Sequence, residues 1–246
     1  MYKVYAITDI GRKREQNQDG FLVDGMHCEN TEHREIYYES DADFIHVALC
    51  DGVGSTVYAS YAVEKAQEYI CNHLKVTNEQ ELENMIRNMN EFVYDSLRRT
   101  QKADGACTVT GIVAVKNTAY IYNIGDSPAF SIRHGYLEKQ TTDDTGAFLF
   151  GESNKSEGEL QMKPPLLQSI GTNRQIELVH IKKEQNMTMC LLCTDGITDM
   201  LSLDDMEELL ERSDSIKATA QNFVRKANQQ GGYDNSTIIV LVKEEE

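Results

Sequence analysis

Apolar residues along this chain follow two periods. Short, nearly unbroken runs stand at positions 4–10, 21–23, 44–50, 108–115, 119–124, 129–132, 176–181, 187–193 and 237–242. Runs of that length, rich in Val, Ile and Leu, predict strands buried on both faces. Two longer segments instead place apolar residues three and four apart. Over 57–74 the stripe is Ala59, Ala62, Val63, Ala66, Tyr69, Ile70 and Leu74; over 79–99 it is Leu82, Met85, Ile86, Met89, Val93 and Leu97. That spacing predicts amphipathic helices whose stripes face a core. Two more helices are predicted at 203–212 and 216–228, the second stopped by Gly231-Gly232.

The connections sort these elements. Lys116-Asn117-Thr118 and His134-Gly135 are turn-like, so 108–132 reads as an antiparallel meander. Residues 24–43 are polar and read as a hairpin or loop. Residues 141–175 have weak periodicity and carry Gly146, Gly151, Gly158 and Pro164-Pro165, the profile of a functional flap. No internal repeat or Pro/Gly-rich linker interrupts the chain, so one domain over 1–246 is expected. Antiparallel hairpins beside paired helices predict an α+β fold of sheets packed face to face and covered by helices.

Composition narrows the function. The chain has 246 residues, 40% hydrophobic, with a net charge of −16. It is long enough to bury roughly 70–75% of its unfolded surface. Such a negative field excludes nucleic acid and anionic membrane as natural partners. The start lacks the long apolar segment of a signal peptide, and no run approaches a membrane span, so a cytoplasmic protein is expected. The six cysteines are Cys28, Cys50, Cys71, Cys107, Cys190 and Cys193. Cys190 and Cys193 mimic a CxxC pair, but an odd spacing on a strand points them to opposite faces, and no second pair exists.

Candidate chemistry lies at the strand ends. Asp51 in HVALCDGVGS, Asp126 in AYIYNIGDSPA, Asp195 in MCLLCTDGITD and Asp234 in GYDNSTIIVLV each sit at the edge of an apolar run. Carboxylates gathered there would lie on loops held by a rigid scaffold. Converging several of them is costly unless a cation neutralises the charge, and hard oxygen ligands suit Mg²⁺ or Mn²⁺. The pattern predicts a divalent-metal site and an enzyme.

The segments DIGRKREQNQDGF, VALCDGVGS, ACTVTGIVAV, YNIGDSPAF, LLCTDGITD and YDNSTIIVLV occur in one order. Together they resemble the metal-dependent type 2C protein serine/threonine phosphatases over about residues 4–242. The resemblance implies a four-layer αββα sandwich of two antiparallel sheets flanked by helix pairs. It implies two Mn²⁺ or Mg²⁺ ions, with Asp51 bridging them, the Gly52 carbonyl a further ligand, and Asp195 and Asp234 on one metal. Asp19 would act directly or through water. A metal-activated water would then hydrolyse phosphoserine and phosphothreonine without a phosphoenzyme. Arg14, by its spacing to Asn17 and Asp19, resembles the phosphate-binding cation, since a guanidinium fork matches two phosphate oxygens; the alternative is a solvated surface arginine beside Arg12 and Lys13. Asp126 resembles the ligand of a possible third metal, or else is a turn carboxylate accepting from backbone N–H groups. Thr108 and Asn235 read as turn or supporting residues, and Asp9 and Asp199 as helpers or caps.

The chain departs from that family pattern at Gln18, Val53, Ser55-Thr56, Pro128 and Asp144. Gln18 removes a charge where the family often has Glu; Val53 stands where some members carry a His. The expected partners are phosphorylated proteins, in opposition to a serine/threonine kinase, with the enzyme acting as a monomer. Two alternatives remain open: a pseudophosphatase serving as a binding module, and a hydrolase of small phosphoesters.

Overall fold

The computed structural model describes residues 1–28, 31–146 and 164–244. The strands are β1 (Tyr2–Asp9), β2 (Gly20–Val23), β3 (Met26–Cys28), β4 (His33–Ser40), β5 (Phe44–Cys50), β6 (Val109–Val115), β7 (Thr118–Ile124), β8 (Ala129–Arg133), β9 (Tyr136–Lys139), β10 (His180–Gln185), β11 (Met189–Cys193) and β12 (Ser236–Lys243). The helices are α1 (Ala59–Asn72), α2 (Glu79–Arg99), α3 (Asp195–Thr198), α4 (Leu203–Glu211) and α5 (Ile216–Gln229). One six-stranded sheet runs β4-β1-β12-β11-β8-β9 and the other β10-β7-β6-β5-β2-β3.

Side-chain alternation builds the layers. On β5, Ile45, Val47 and Leu49 join the core between the sheets, with Ile239 and Leu241 of β12. The alternate β5 residues, Ala48 and Cys50, pack with Ala62, Val63 and Ile70 of α1 and with Leu82, Ile86 and Met89 of α2. The alternate β12 residues, Ile238 and Val240, pack with Ala220, Phe223 and Ala227 of α5. Each inner strand is therefore apolar on both faces, which is why the sequence shows unbroken runs rather than alternation. The result is the expected α+β arrangement of two antiparallel sheets between helical layers. Cys190 faces the inter-sheet core and Cys193 the helix-side core, the opposite faces their odd spacing predicts.

Helix ends are set locally. The Asn78 side chain accepts from Glu81 N–H at 3.0 Å to start α2, and Arg98 and Arg99 occupy its last turn, where they complement the helix dipole. Ser202 and Asp205 form a reciprocal capping box on α4.

Three expectations are corrected. Residues 108–132 are not one meander: β6 and β7 pair, but β8 crosses to the other sheet beside β11 and turns into β9. Gly125, at φ +107°, and Pro128, which has no N–H to offer a ladder, lie in the crossing segment. Residues 24–43 do contain a hairpin turn, at Asp24-Gly25 between β2 and β3, but beyond it they hand the chain to the other sheet as β4 beside β1. As edge strands, β3 and β4 are mostly exposed and carry little apolar signal. The strand expected at 176–181 begins at His180; Ile176 and Val179 are instead buried against the helical core. Residues 147–163 of the expected flap lie outside the described residues. Its described ends are tied down by a Thr145–Leu166 bridge and an Ile170–Cys107 bridge. Among the described residues, no helix is long and apolar enough to cross a membrane.

One buried polar pair ties β5 to this core. His46 is fully buried, with Nε2 2.8 Å from the Tyr122 hydroxyl and Nδ1 3.3 Å from Leu74 O. Nδ1–H donates to the carbonyl, so Nε2 accepts from the tyrosine. Burial pushes the imidazole down to about 4. The unfolded chain then binds a proton near pH 6.5 that the folded chain refuses. His46 should cost up to about 3 kcal/mol of stability as pH falls from about 6.5 to 4, with none lost above pH 7. Urea unfolding of wild type and His46→Gln across this range checks it: the difference in stability should change with pH in that sense.

Candidate active site

Strand register gathers the candidate aspartates. Gly20 is opposite Cys50, Leu49 opposite Thr110, and Val109 opposite Ile124, so Asp19, Asp51 and Asp126 follow or precede strands at one end of one sheet. Cys193 is opposite Ile238, which puts Asp195 and Asp234 at one end of the other. The two ends coincide, since Asp51 feels the charges of Asp195, Asp19, Asp126 and Asp234.

Backbone and side-chain contacts hold this end together. Asn235 donates through Nδ2 to Ile10 O and Gln16 O, both at 3.0 Å, and accepts through Oδ1 from Gln18 N–H at 2.8 Å. It therefore pins the 10–18 loop, which bears Arg14, against the Asp234 turn. Two glycines allow that closeness. A Cβ on Gly196 would lie 1.8 Å from Asn235 O, and one on Gly11, which sits at φ +81°, would lie 2.3 Å from Asp234 O. Gly52 is confined less tightly, with its Cβ position 2.8 Å from Gln18 O. Thr108 also touches the site, its Oγ1 accepting from Asp51 N–H at 3.3 Å. Asp9 serves structure as well, accepting from Gly11 N–H and Asn228 Nδ2 at 2.9 Å.

The support behind Asp19 was not singled out from sequence. Asp19 is 2% exposed, and its Oδ2 accepts from Thr237 Oγ1 at 2.7 Å and Thr194 Oγ1 at 2.9 Å. Thr237 Oγ1 lies 2.8 Å from Thr8 Oγ1, which in turn accepts from Asn17 Nδ2 at 2.8 Å. All of these residues are buried. The signal was present: Thr8, Thr194 and Thr237 are hydroxyls at the ends of otherwise apolar runs.

Electrostatics give the cluster its character. Burial, then the charges of Asp195, Asp19, Asp126 and Asp234, raises the Asp51 carboxyl well above its ordinary value. Asp51 nonetheless keeps partial solvent access. Burial pushes Asp19 up to about 7, with Asp195 and Asp234 adding to the rise and the Thr237 and Thr194 hydroxyls opposing it. The cation that answers them is Arg14. Its Nε donates to Asp234 Oδ1 at 2.8 Å and its Nη2 to Asp234 Oδ2 at 2.6 Å, with both side chains partly exposed. Asp234 raises the guanidinium pKa further, with smaller contributions from Asp195 and Asp51.

Among the described residues, no three Asp, Glu, His or Cys side chains stand close enough to hold a metal ion as they are placed. The donor set still fits a hard divalent cation. It is all oxygen, and both Asp19 and Asp51 are raised first by burial and then by the charges of neighbouring acids, which a bound cation would offset.

Asp126 and Asp195 line one cavity of about 530 Å³, together with Asp199, Pro128, Phe130 and Met206. A larger cleft, of about 820 Å³, lies between the β8–β9 hairpin and α4–α5; none of the clustered aspartates lines it, so size does not identify the active site here. Asp144 anchors the flap base. Its Oδ2 accepts from Gly125 N–H at 2.8 Å, its Oδ1 lies 2.9 Å from His180 Nε2, and its carbonyl accepts from Leu167 N–H at 2.8 Å.

Asp19 has a testable cost. Its folded pKa is raised, so the folded chain keeps a proton that the unfolded chain releases near pH 4. The penalty is absent below pH 4 and complete above pH 7. In chelator, Asp19→Asn should therefore stabilise the protein by about 2–4 kcal/mol at pH 8, with the gain shrinking towards pH 4. The amide oxygen can still accept both threonine hydroxyls. Urea titrations at the two pH values, in EDTA, measure it.

Comparison with known proteins bears on the fold and the family. The family model for protein phosphatase 2C matches residues 22–231. The serine/threonine phosphatase stp of Listeria welshimeri is 27% identical over 249 residues, 95% of this chain and 93% of the relative. The serine/threonine phosphatase of S. agalactiae superposes with a TM-score of 0.81 at 21% identity, over 99% of this chain and 100% of that one. The Mycobacterium tuberculosis serine/threonine phosphatase PstP/Ppp gives 0.75 at 21% identity, with both chains fully covered. A fold in which strand register brings Asp19, Asp51, Asp126, Asp195 and Asp234 to one end, matched over most of its length by that family model, places this chain in the protein phosphatase 2C family.

Proposed function

We propose that this chain hydrolyses phosphoserine and phosphothreonine in proteins at a binuclear Mn²⁺ or Mg²⁺ site, in opposition to a serine/threonine kinase. The observation that carries the reading is the cluster of acidic side chains at one end of both sheets, where Asp51 feels the charges of four other carboxylates. Asp51 and the Gly52 carbonyl, with Asp195 and Asp234, would hold the two ions; Asp19 would act directly or through water. Asp126 would help to hold a third at the cavity it shares with Asp195. When bound, the pair supplies an acidified water as nucleophile and positive charge against the phosphoryl oxygens.

The chain's own residues do the rest. Arg14 binds and orients the phosphate with the fork that now grips Asp234. Asn235 holds the Arg14 loop in place through Ile10 O and Gln16 O. As water oxygen bonds to phosphorus and the ester P–O bond breaks, the departing serine or threonine oxygen must gain a proton. Val53 offers none, so solvent water supplies it.

One observation favours the binding-module alternative. The Arg14–Asp234 pair already uses one carboxylate that the reaction requires. Hydrolysis of p-nitrophenyl phosphate and of a phosphothreonine peptide, with and without Mn²⁺, decides between them. Metal-dependent turnover of both supports the proposal, no turnover returns the chain to a binding role, and turnover of the small ester alone makes it a small-molecule hydrolase.

Asp51→Asn should keep the fold and lose at least about a hundredfold in kcat, because the bridging charge is gone. Circular dichroism with steady-state kinetics reads both. Arg14→Ala should raise KM for phosphorylated substrates several-fold, and kcat should fall too if the fork grips the transition state more tightly. It also frees Asp234, so the Mn²⁺ concentration giving half-maximal activity should not rise. Unchanged kinetics would make Arg14 a surface residue.

A further inference from the structure

The loop bearing Arg14 continues into a second opening of about 490 Å³. Glu15, Gln16 and Asn17 form one wall, and Val57, Tyr58 and Tyr61, at the start of α1, form the other. None of the five aspartates lines this cleft, but its Asn17 meets their cluster, accepting through Oδ1 from Asp19 N–H at 3.1 Å. Arg14 directly precedes Glu15, Asp19 lies two residues beyond Asn17, and the Cβ position of Gly54 is 3.0 Å from Arg14 Nη2. A phosphorylated residue held at Arg14 would carry its chain neighbours towards this opening.

Two properties define what fits there. The first is charge: Glu15, Glu32 and Glu64 line the cleft with Lys102, and since Glu64 is paired with Lys65 at 3.0 Å, the acidic excess is carried by Glu15 and Glu32. Lys102 Nζ rests 3.9 Å from the Tyr61 ring centroid and 5.8 Å from that of Tyr58, so the aromatic wall already receives a cation. The second is exposed apolar surface. Val57 is 72% exposed and Tyr58 37%, beside a helix start that is otherwise buried at Ala59. Covering Val57 would remove hydrocarbon from water.

We infer that this cleft selects the residues flanking the phosphorylated side chain, taking a segment that pairs Lys or Arg with an apolar residue. The inference rests on the phosphatase reading for what occupies Arg14, but its selectivity can be read without turnover. The second, larger cleft also carries Asp204, Glu208 and Glu211, yet it does not adjoin Arg14 and so serves as a control.

The experiment uses two labelled phosphothreonine peptides that differ only in their flanks, Lys/Arg with Leu or Glu with Ser, on both sides of the phosphoresidue. Anisotropy is measured on the full chain in EDTA at about 150 mM salt, where distant surface charge is screened. The basic–apolar peptide should bind roughly tenfold more tightly. Glu15→Gln/Glu32→Gln/Glu64→Gln should remove most of that preference, and Val57→Ser should reduce it a few-fold. The charge-matched Asp204→Asn/Glu208→Gln/Glu211→Gln should leave it intact. Circular dichroism checks that each variant is folded, and the preference is a ratio taken on one variant, so losses common to both peptides cancel. Equal binding of the peptides, or an equal loss in the control, overturns the inference. Selective binding in EDTA with no hydrolysis of either peptide when Mn²⁺ is supplied would overturn the phosphatase reading instead and keep this one.

Discussion

Mutual repulsion among five aspartates is the constraint to which this fold answers. Asp51 meets the charges of Asp195, Asp19, Asp126 and Asp234 while half-buried. No local sequence preference would assemble such a group. Both sheets do so through register, because the strand ends that carry these residues are fixed by side chains buried further along the same strands. A one-residue slip of β12 against β11 would turn Ile239 and Leu241 from the inter-sheet core to the α5 side and carry Asp234 with it. The hydrophobic layers thus hold the charges at a distance they would not choose.

The neighbours that steady the cluster are mostly neutral. Thr194 and Thr237 donate hydroxyls to Asp19, and Asn235 donates its own N–H to Asp234 Oδ1 at 2.8 Å. Hydrogen bonds to a charged group contribute about 1.5–3 kcal/mol each, enough to fix a carboxylate's orientation but not to cancel several charges. Lysines in those positions would have satisfied the acids and closed the site to any other cation. Threonine and asparagine orient the acids and leave their charge unspent. The close contacts of Gly11 and Gly196 with the 234–235 backbone serve the same end, since they hold the turn without adding a side chain to the cleft.

Much of this was legible in the sequence. Residues 44–50 and 79–99 fold as their apolar patterns require, because burial on both strand faces, or along one helix stripe, leaves an unmistakable period. The order of the aspartate motifs gave the family. What escaped was long-range. That β8 leaves β7 for β11 is decided by partners some sixty residues away (Leu192 opposite Ala129), not by the turn between them. The β3 and β4 edges are too polar to announce a sheet. The threonine chain behind Asp19 joins positions 8, 194 and 237, each unremarkable in its own segment. Asp144, which reads from sequence only as a departure from the family pattern, proves to tie the Gly125 turn to β10 and the flap base.

Arg14 shows how the arrangement stays available for chemistry. Its bidentate grip on Asp234 is geometrically strong, yet both side chains are more than a third exposed, and exposed ion pairs contribute little net stability. Breaking the pair therefore costs the fold little. A divalent cation on Asp234 and a phosphate dianion on Arg14 would each offer its new partner more charge than the two residues offer one another. The exchange would relieve two unfavourable charges in one step: the acidic cluster gains a dication and the guanidinium gains a dianion. On the proposed function the Arg14–Asp234 pair would be a resting contact that keeps the site compact until metal and phosphate arrive, and the nearness of Arg14 to the aspartates, rather than its charge alone, would suit it to receive the phosphate.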